Sequence, residues 1–345
     1  MGPLYGFVLT VLMVPPLRGL RRLLDIPGGR KQHGVPVPLV GGLAIFLGAA
    51  WGFEASQQMD SNWSMFLLAC ALLVMVGALD DVFDLRPSLK FLTQVTAALV
   101  MTVGAGHTIH VLGEPFFTGP VGTGVLAIPF TLLVALTVIN AYNMIDGIDG
   151  LGAGVSLVAL GGMAVLAGVF GLYPEQEFLH VLIACIAGFL LYNLPLGVNA
   201  KLRTFMGDSG SMFLGLAVVW FGIVLTQGEH GVASAVSLLW FAALPVYDLI
   251  ATCVDRVLQG RRVWLAGTDH VHYLLIREGL SARKTLAAIL LTQVVFTGIG
   301  LTGPLLGVSD GVLFTGWCLV GAGHFFFARR RRLIAIIWAK LLKMF

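Results

Sequence analysis

The chain has 345 residues, of which 57% are hydrophobic and only 11% charged. So few charges cannot clothe a globular surface in water, which excludes an ordinary soluble domain and makes lipid the expected solvent. The formal net charge of +3 is small and the basic residues are not interleaved with aromatics, so no nucleic-acid partner is expected.

A bilayer core about 30 Å thick needs roughly 20 apolar residues per helical crossing. Eleven runs approach that length, over 2–20, 39–55, 65–79, 91–112, 124–141, 152–173, 178–198, 210–227, 232–254, 285–307 and 309–327. The predicted class is all-α: a polytopic membrane protein with ten to eleven transmembrane helices. The second and third runs hold about fifteen clearly apolar residues each, which predicts helices that end on polar loops dipping toward the membrane. The first run has no basic region before it, and Pro15-Pro16 rather than a small-residue cleavage site follows its apolar stretch, so it is expected to remain as the first helix. The 44 glycines suit close helix packing in lipid. Cys70, Cys185, Cys253 and Cys318 each lie alone in an apolar run and are read as buried structural thiols.

Short cytoplasmic loops should hold the Lys and Arg residues, and translocated loops should not. All 21 obey one pattern on the eleven runs. Arg18, Arg21, Arg22, Arg30 and Lys31 follow the first run, Arg86 and Lys90 the third, and Lys201 and Arg203 the seventh. Arg256, Arg261, Arg262, Arg277, Arg283 and Lys284 follow the ninth, and Arg329 to Arg332, Lys340 and Lys343 close the chain. The loops near 55–64, 113–123, 174–177, 228–231 and 308–310 hold none, so the amino terminus is expected outside and the carboxyl terminus in the cytoplasm. Residues 1–327 read as one transmembrane domain with cytoplasmic loops near 18–38, 80–90, 142–151, 199–209 and 255–284, and 328–345 as a basic amphipathic tail that binds membrane lipid.

Each cytoplasmic loop carries a polar cluster. In Arg30-Lys31-Gln32-His33-Gly34 and the following Pro36-x-Pro38-Leu39-Val40-Gly41-Gly42, paired glycines let a helix start close to a neighbouring backbone or a phosphate. Asp80, Asp81 and Asp84 end an apolar helix; Asp80 and Asp84 would share a face and repel, so a cation is wanted, and a divalent ion bridging to phosphates suits such oxygens. The segment Asn140-Ala141-Tyr142-Asn143-Met144-Ile145-Asp146-Gly147-Ile148-Asp149-Gly150 is the most specific motif: its amides and acids would project from one side of a helix, and no Lys or Arg lies within it to pair with them. Phe205-Met206-Gly207-Asp208-Ser209-Gly210-Ser211 precedes an apolar helix, where free N–H groups form an anion site and Asp208 can cap the helix or bind metal. Asp269-His270-Val271-His272-Tyr273 lies in the longest loop, with phosphate contact its expected work. Asp248 is an intramembrane acid whose role stays open, functional or paired with a base. His107, His110, His180, His230 and His324 read as structural.

The ordered set GALDDVFDLRPSLK, NAYNMIDGIDGL, FMGDSGS and DHVHYLL resembles the polyprenyl-phosphate N-acetylhexosamine-1-phosphate transferases over most of the chain. RKQHGVPVPLVGG and the later spacings look most like the bacterial undecaprenyl-phosphate GlcNAc-1-phosphate transferase branch that starts O-antigen and enterobacterial common antigen, and the triple histidine of the peptidoglycan branch is absent. The resemblance implies a multi-pass protein of the bacterial inner membrane with its site facing the cytoplasm. It also implies Mg2+ or Mn2+ as cofactor, and transfer of sugar 1-phosphate from a UDP-sugar to undecaprenyl phosphate with release of UMP. It leaves room for a homo-oligomer and for another UDP-amino sugar as donor. Carried onto this chain, it makes Asp80, Asp81, Asp146 and Asp149 the acidic catalytic positions, and gives the metal to Asp208 with one of Asp80 and Asp81. Asn140, Asn143, His270, His272, Lys90, Arg30, His33, Gly41 and Gly42 fall to substrate; Tyr273 stands where the branch commonly has a further histidine. An ion-coupled transporter is the rival from another class, and it predicts acids staggered through the membrane depth rather than gathered at one face.

Overall fold

The computed structural model describes residues 1–20, 22–26, 35–56, 61–194, 202–228, 231–263 and 267–329; Arg30, His33 and the basic tail from 330 onward lie outside them. The helices in chain order are α1 (Gly2–Leu17), α2 (Gly41–Ala55), α3 (Ser61–Phe83), α4 (Pro87–Leu99), α5 (Ala127–Ile145), α6 (Leu151–Val169), α7 (Tyr173–Asn193), α8 (Gly207–Thr226), α9 (Ala235–Leu239), α10 (Ala243–Leu258), α11 (Val271–Arg277), α12 (Ala282–Leu306) and α13 (Asp310–Arg329). A π-helical turn, Val100–Gly104, prolongs α4, and a 3-10 turn, Trp240–Ala242, fuses α9 and α10 into one rod. Among the described residues the only sheet is a small antiparallel ribbon, β1 (Leu24–Asp25) with β2 (Val37–Pro38), so the all-α reading holds.

Among the described residues, each predicted apolar run falls mainly on a helix or on the α9–α10 rod, and seven of these are long and apolar enough to cross a bilayer. α1 and α2 are shorter apolar helices. The third run differs from its expectation: α3 has 23 residues and draws Asp80 and Asp81 into its last turns. Two charges do not stop a helix whose backbone bonds remain intact. What stops it is the approach to Pro87, with Asp84 at φ +49 and Arg86 extended, as a residue before proline prefers.

α8 is the central helix, buried along almost its whole length. Neighbours reach it because small residues line the contacts, and close backbone approach is the chief source of helix association in lipid. A Cβ on Gly42 of α2 would lie 2.2 Å from the Gly210 nitrogen, one on Gly77 of α3 2.4 Å from Ser209 Cα, and one on Gly215 2.8 Å from Ile139 Cα of α5. The first two contacts sit at the start of α8 and gather the polar ends of three helices around it. Cys70 and Cys185 are buried as expected, but Cys253 is partly exposed and Cys318 exposed, because α13 packs at the bundle's edge and turns Cys318 outward.

Candidate active site

Asp80 and Asp81 leave the end of α3 in different directions. Asp80 Oδ1 accepts the Leu85 N–H at 2.9 Å, and its Oδ2 accepts from Lys90 Nζ at 2.9 Å. The same ammonium donates to Asp208 Oδ2 at 2.9 Å. The cation that the acids call for is thus supplied by this chain, from the first turn of α4. Burial opposes the charge on Lys90, but Asp208 and Asp80 outweigh it and hold its pKa above the usual lysine range. Asp84, expected on the same face as Asp80, leaves the helix and is exposed.

Asp81 lies across the start of α8. Gly207 takes φ +74, which glycine alone adopts without strain, and a Cβ there would lie 2.4 Å from Asp81 Oδ2. The turn brings the Asp208 N–H onto Asp81 Oδ1 at 3.2 Å. The predicted anion site at this helix start is therefore occupied by a carboxylate of the protein. Asp208 does not cap the helix; its side chain is taken by Lys90. Asp81 Oδ2 is buried without a hydrogen-bond partner among the described residues.

The Asn140–Gly150 motif does not lie on one helix. α5 ends at Ile145, so Asp146 and Asp149 sit in the turn that leads to α6. Asn143 Nδ2 donates to Ser211 Oγ at 2.9 Å, which ties the motif to α8. Asn140 turns the other way and exchanges hydrogen bonds with Gln94 of α4, donating at 2.8 Å. Asp149 pairs with Arg203 at 2.5 Å. The acid is thus countered from outside its own segment, by an arginine from a remote loop whose guanidinium also lies 5.0 Å over the Phe205 ring. Asn193 was not singled out in the sequence, yet it accepts from the Gly150 N–H at 2.5 Å and donates to the Thr204 carbonyl at 2.9 Å, stitching this motif to the next. Its only signal was an amide at the end of an apolar run.

Gly41 and Gly42 donate their N–H groups to the Phe205 and Met206 carbonyls, each at 2.9 Å. Of the two uses open to a paired glycine, close approach to another backbone is the one seen; neither N–H faces outward to a substrate.

The histidine loop packs against the turn between α5 and α6. His272 is wholly buried, and a Cβ on Gly147 would lie 2.0 Å from its Nε2, so its ring rests on the Asp146–Asp149 turn. Neither of its ring nitrogens has a hydrogen-bond partner among the described residues. Burial, opposed by Asp248 and reinforced by His270, pulls its pKa down to about 4. At neutral pH it is a neutral imidazole, able to give one N–H rather than a charge. Asp248, left open by the sequence, pairs with His270 Nδ1 at 2.8 Å. Tyr273 packs against His272 at a ring distance of 4.1 Å.

Asp146 Oδ1 accepts the Gly152 N–H at 3.1 Å. Burial pushes its pKa up to about 7, with Gly152 opposing and the Asp208 and Asp149 charges adding to the rise. The unfolded chain ionises this carboxyl near 3.8, so between that pH and about 7 the folded chain binds more protons and loses stability as pH rises. In metal-free detergent solution the thermal midpoint should fall from pH 5 to pH 8 more steeply for the native chain than for Asp146→Asn. Parallel pH curves would refute the assignment.

The chain matches glycosyl transferase family 4 over residues 63–226, a stretch that runs from α3 to the end of α8 and contains Asp80, Asp81, Asp146, Asp149 and Asp208. It is 34% identical over 284 residues to the undecaprenyl-phosphate alpha-N-acetylglucosaminyl 1-phosphate transferase of Yersinia pestis, covering 82% of this chain and 78% of that protein. It is 33% identical over 280 residues to the protein of that name from Salmonella typhi, covering 81% and 76%. For its Escherichia coli (strain K12) counterpart the values are 31% over 279 residues, 81% and 76%. With matches of that extent, and with the α3 acids Asp80 and Asp81 meeting Asp208 at the start of α8, the chain belongs to glycosyl transferase family 4.

Proposed function

We propose that this protein transfers N-acetylhexosamine 1-phosphate, GlcNAc 1-phosphate foremost, from a UDP-sugar to undecaprenyl phosphate. The products are sugar-pyrophosphoryl-undecaprenol and UMP. The one-sided Lys and Arg pattern supports a site on the cytoplasmic face of a bacterial inner membrane, and the reaction would begin a cell-surface polysaccharide of the O-antigen kind. The observation that carries the reading is the Lys90 ammonium held between Asp80 and Asp208 at the start of the central helix. In the reaction an oxygen of the lipid phosphate attacks the β-phosphorus of the donor. A P–O bond forms there, the bond from that phosphorus to the bridging oxygen breaks, and the oxygen leaves on UMP. Both reactants are anions, so catalysis consists of charge neutralisation and in-line positioning.

Three carboxylates, Asp80, Asp81 and Asp208, stand against one ammonium, which leaves a formal charge matched by one divalent cation. No three His, Cys, Asp or Glu side chains converge on a point among the described residues, so an all-protein cage does not fit. Magnesium held by one or two carboxylates, with phosphate and water oxygens completing its shell, does fit. Asp80 has both oxygens engaged, so Asp208 and Asp81, whose Oδ2 is free, would hold it; manganese suits the same oxygens. When bound, the ion offsets the charge that develops on the phosphate oxygens. Lys90 draws Asp80 and Asp208 together by offsetting their repulsion, and Asp146, Asn143 and the neutral His272 orient the donor. The lipid phosphate is already anionic at neutral pH, so no strong base is required.

A transporter would want Asp248 open to a path through the bilayer, and its two oxygens are instead closed by His270 and Val271. The test of the reading is UMP release by the purified chain with magnesium, undecaprenyl phosphate and a panel of UDP-sugars. Release with UDP-GlcNAc above the other sugars is expected. No release with any of them would overturn the proposal.

A further inference from the structure

We propose that Asp248 is the positioning residue of the donor side of the site: it fixes His270 in the Nδ1–H tautomer and pins the start of α11, and so sets both histidines against the Asp146–Asp149 turn. The inference rests on the sugar-phosphate transfer proposed above, and it assigns a residue outside the 63–226 family block.

Both oxygens of Asp248 are in use. Oδ2 lies 2.8 Å from His270 Nδ1, and Oδ1 accepts the Val271 N–H at 2.8 Å. Asp248 and His270 are 3% and 4% exposed, so water does not compete for either bond. An ionised carboxylate only accepts, so Nδ1 carries the hydrogen and Nε2 is the nitrogen left for another partner. The Thr252 hydroxyl is 3.5 Å from the same Nδ1 and adds little beside the shorter contact.

A carboxylate within an apolar rod is costly unless its oxygens are hydrogen-bonded, and any two donors would meet that need. The placement of the pair goes further. The His270 and His272 rings lie nearly parallel, 7° apart with centroids at 5.9 Å, and His272 in turn rests on Gly147 between Asp146 and Asp149. Asp248, His270, His272 and the Asp146–Asp149 turn therefore form one continuous packed series from the membrane-embedded rod to the site. Val271 stands between the two histidines, so the bond to its N–H fixes the backbone from which both rings project.

Asp248→Asn separates positioning from mere packing. Its Oδ1 still accepts the Val271 N–H, but an amide NH2 now faces His270 and demands Nδ1 as acceptor, which moves the ring hydrogen to Nε2. In full-length protein kcat/KM for the UDP-sugar should fall by about tenfold to a hundredfold, the loss typical of a group that orients a histidine. The KM for undecaprenyl phosphate and the thermal midpoint should stay near native. In a His270→Ala background the same change should cause no further fall. A native donor kcat/KM in Asp248→Asn overturns the inference, and so does a penalty that persists undiminished without His270. Nitrogen-15 NMR of histidine-labelled native protein gives an answer that needs no variant: Nδ1 of His270 should carry a hydrogen, and a bare Nδ1 refutes the assignment. Absence of turnover in the native protein would instead overturn the proposed activity, and the ring measurement would still decide this inference.

Discussion

Lys90→Met should lower kcat by about a hundredfold to a thousandfold at saturating donor and acceptor, the range seen when one group that stabilises developing charge is removed. Lys90 donates to Asp80 and Asp208 at 2.9 Å each, from a position only 26% exposed. Methionine keeps much of the length and apolar stem but removes the charge, so two carboxylates drawn together by an ammonium are left to repel. The side chain is not a passive neutraliser, because the pair it joins spans α3 and α8, the two helices on which the reacting phosphates would converge. Thermal stability should fall along with turnover, and raised magnesium should recover part of it. Lys90→Arg is not expected to restore the rate, since a planar fork cannot replace a point charge held between two single oxygens. UMP release by Lys90→Met at the native rate would refute the role.

Gly147→Ala should reduce kcat/KM for the UDP-sugar by at least about tenfold, an overpacking strain of roughly 1–3 kcal/mol falling on the contact that seats His272. The new methyl would lie 2.0 Å from Nε2 and 2.7 Å from Cε1 of a ring that is wholly buried, so the ring or the turn must shift. A displacement of this size matters because donor orientation depends on sub-ångström placement. The loss should be confined to the donor, with KM for undecaprenyl phosphate unchanged, because Asp81 and Asp208 lie on other elements. In a His272→Ala background, where the clash is absent, the alanine at 147 should cost little. Additive losses in the double variant would show that Gly147 acts through something other than this ring.

Much of the site was legible because its residues are grouped in short polar segments between apolar runs. Asp80, Asp81, Asp146, Asp149, Asp208, His270 and His272 could all be named from composition at helix ends, and the structure brings Asp80 and Asp81 to Asp208 at the start of α8 and seats His272 on the Asp146–Asp149 turn. Their partners were not legible. Arg203 meets Asp149 across 54 residues, and Asn193 meets Gly150 across 43. Lys90 meets Asp208 across 118. The absence of a base within the 140–151 segment excluded a pair internal to it, and Asp149 finds its partner in a different loop. Asn140 was read with Asn143 from their three-residue spacing, but it points to Gln94, since a helix turns about 100° per residue and the two amides diverge by some 60°.

The sequence by itself determined that this chain folds in lipid, where its helices lie, and which segments carry acids and histidines. Each of these is a local property, set by apolar runs about as long as a bilayer is thick and by the prolines and glycines that end them. Only the tertiary structure decided which oxygen of which acid is free, that the cation between Asp80 and Asp208 is Lys90, and that Asp248 belongs to His270. Those outcomes depend on close approaches at Gly42, Gly77 and Gly147, where two backbones, or a backbone and a ring, meet closely enough to leave no room for a side chain. A glycine in the sequence shows that such an approach is allowed, and the packed bundle shows which neighbour makes it.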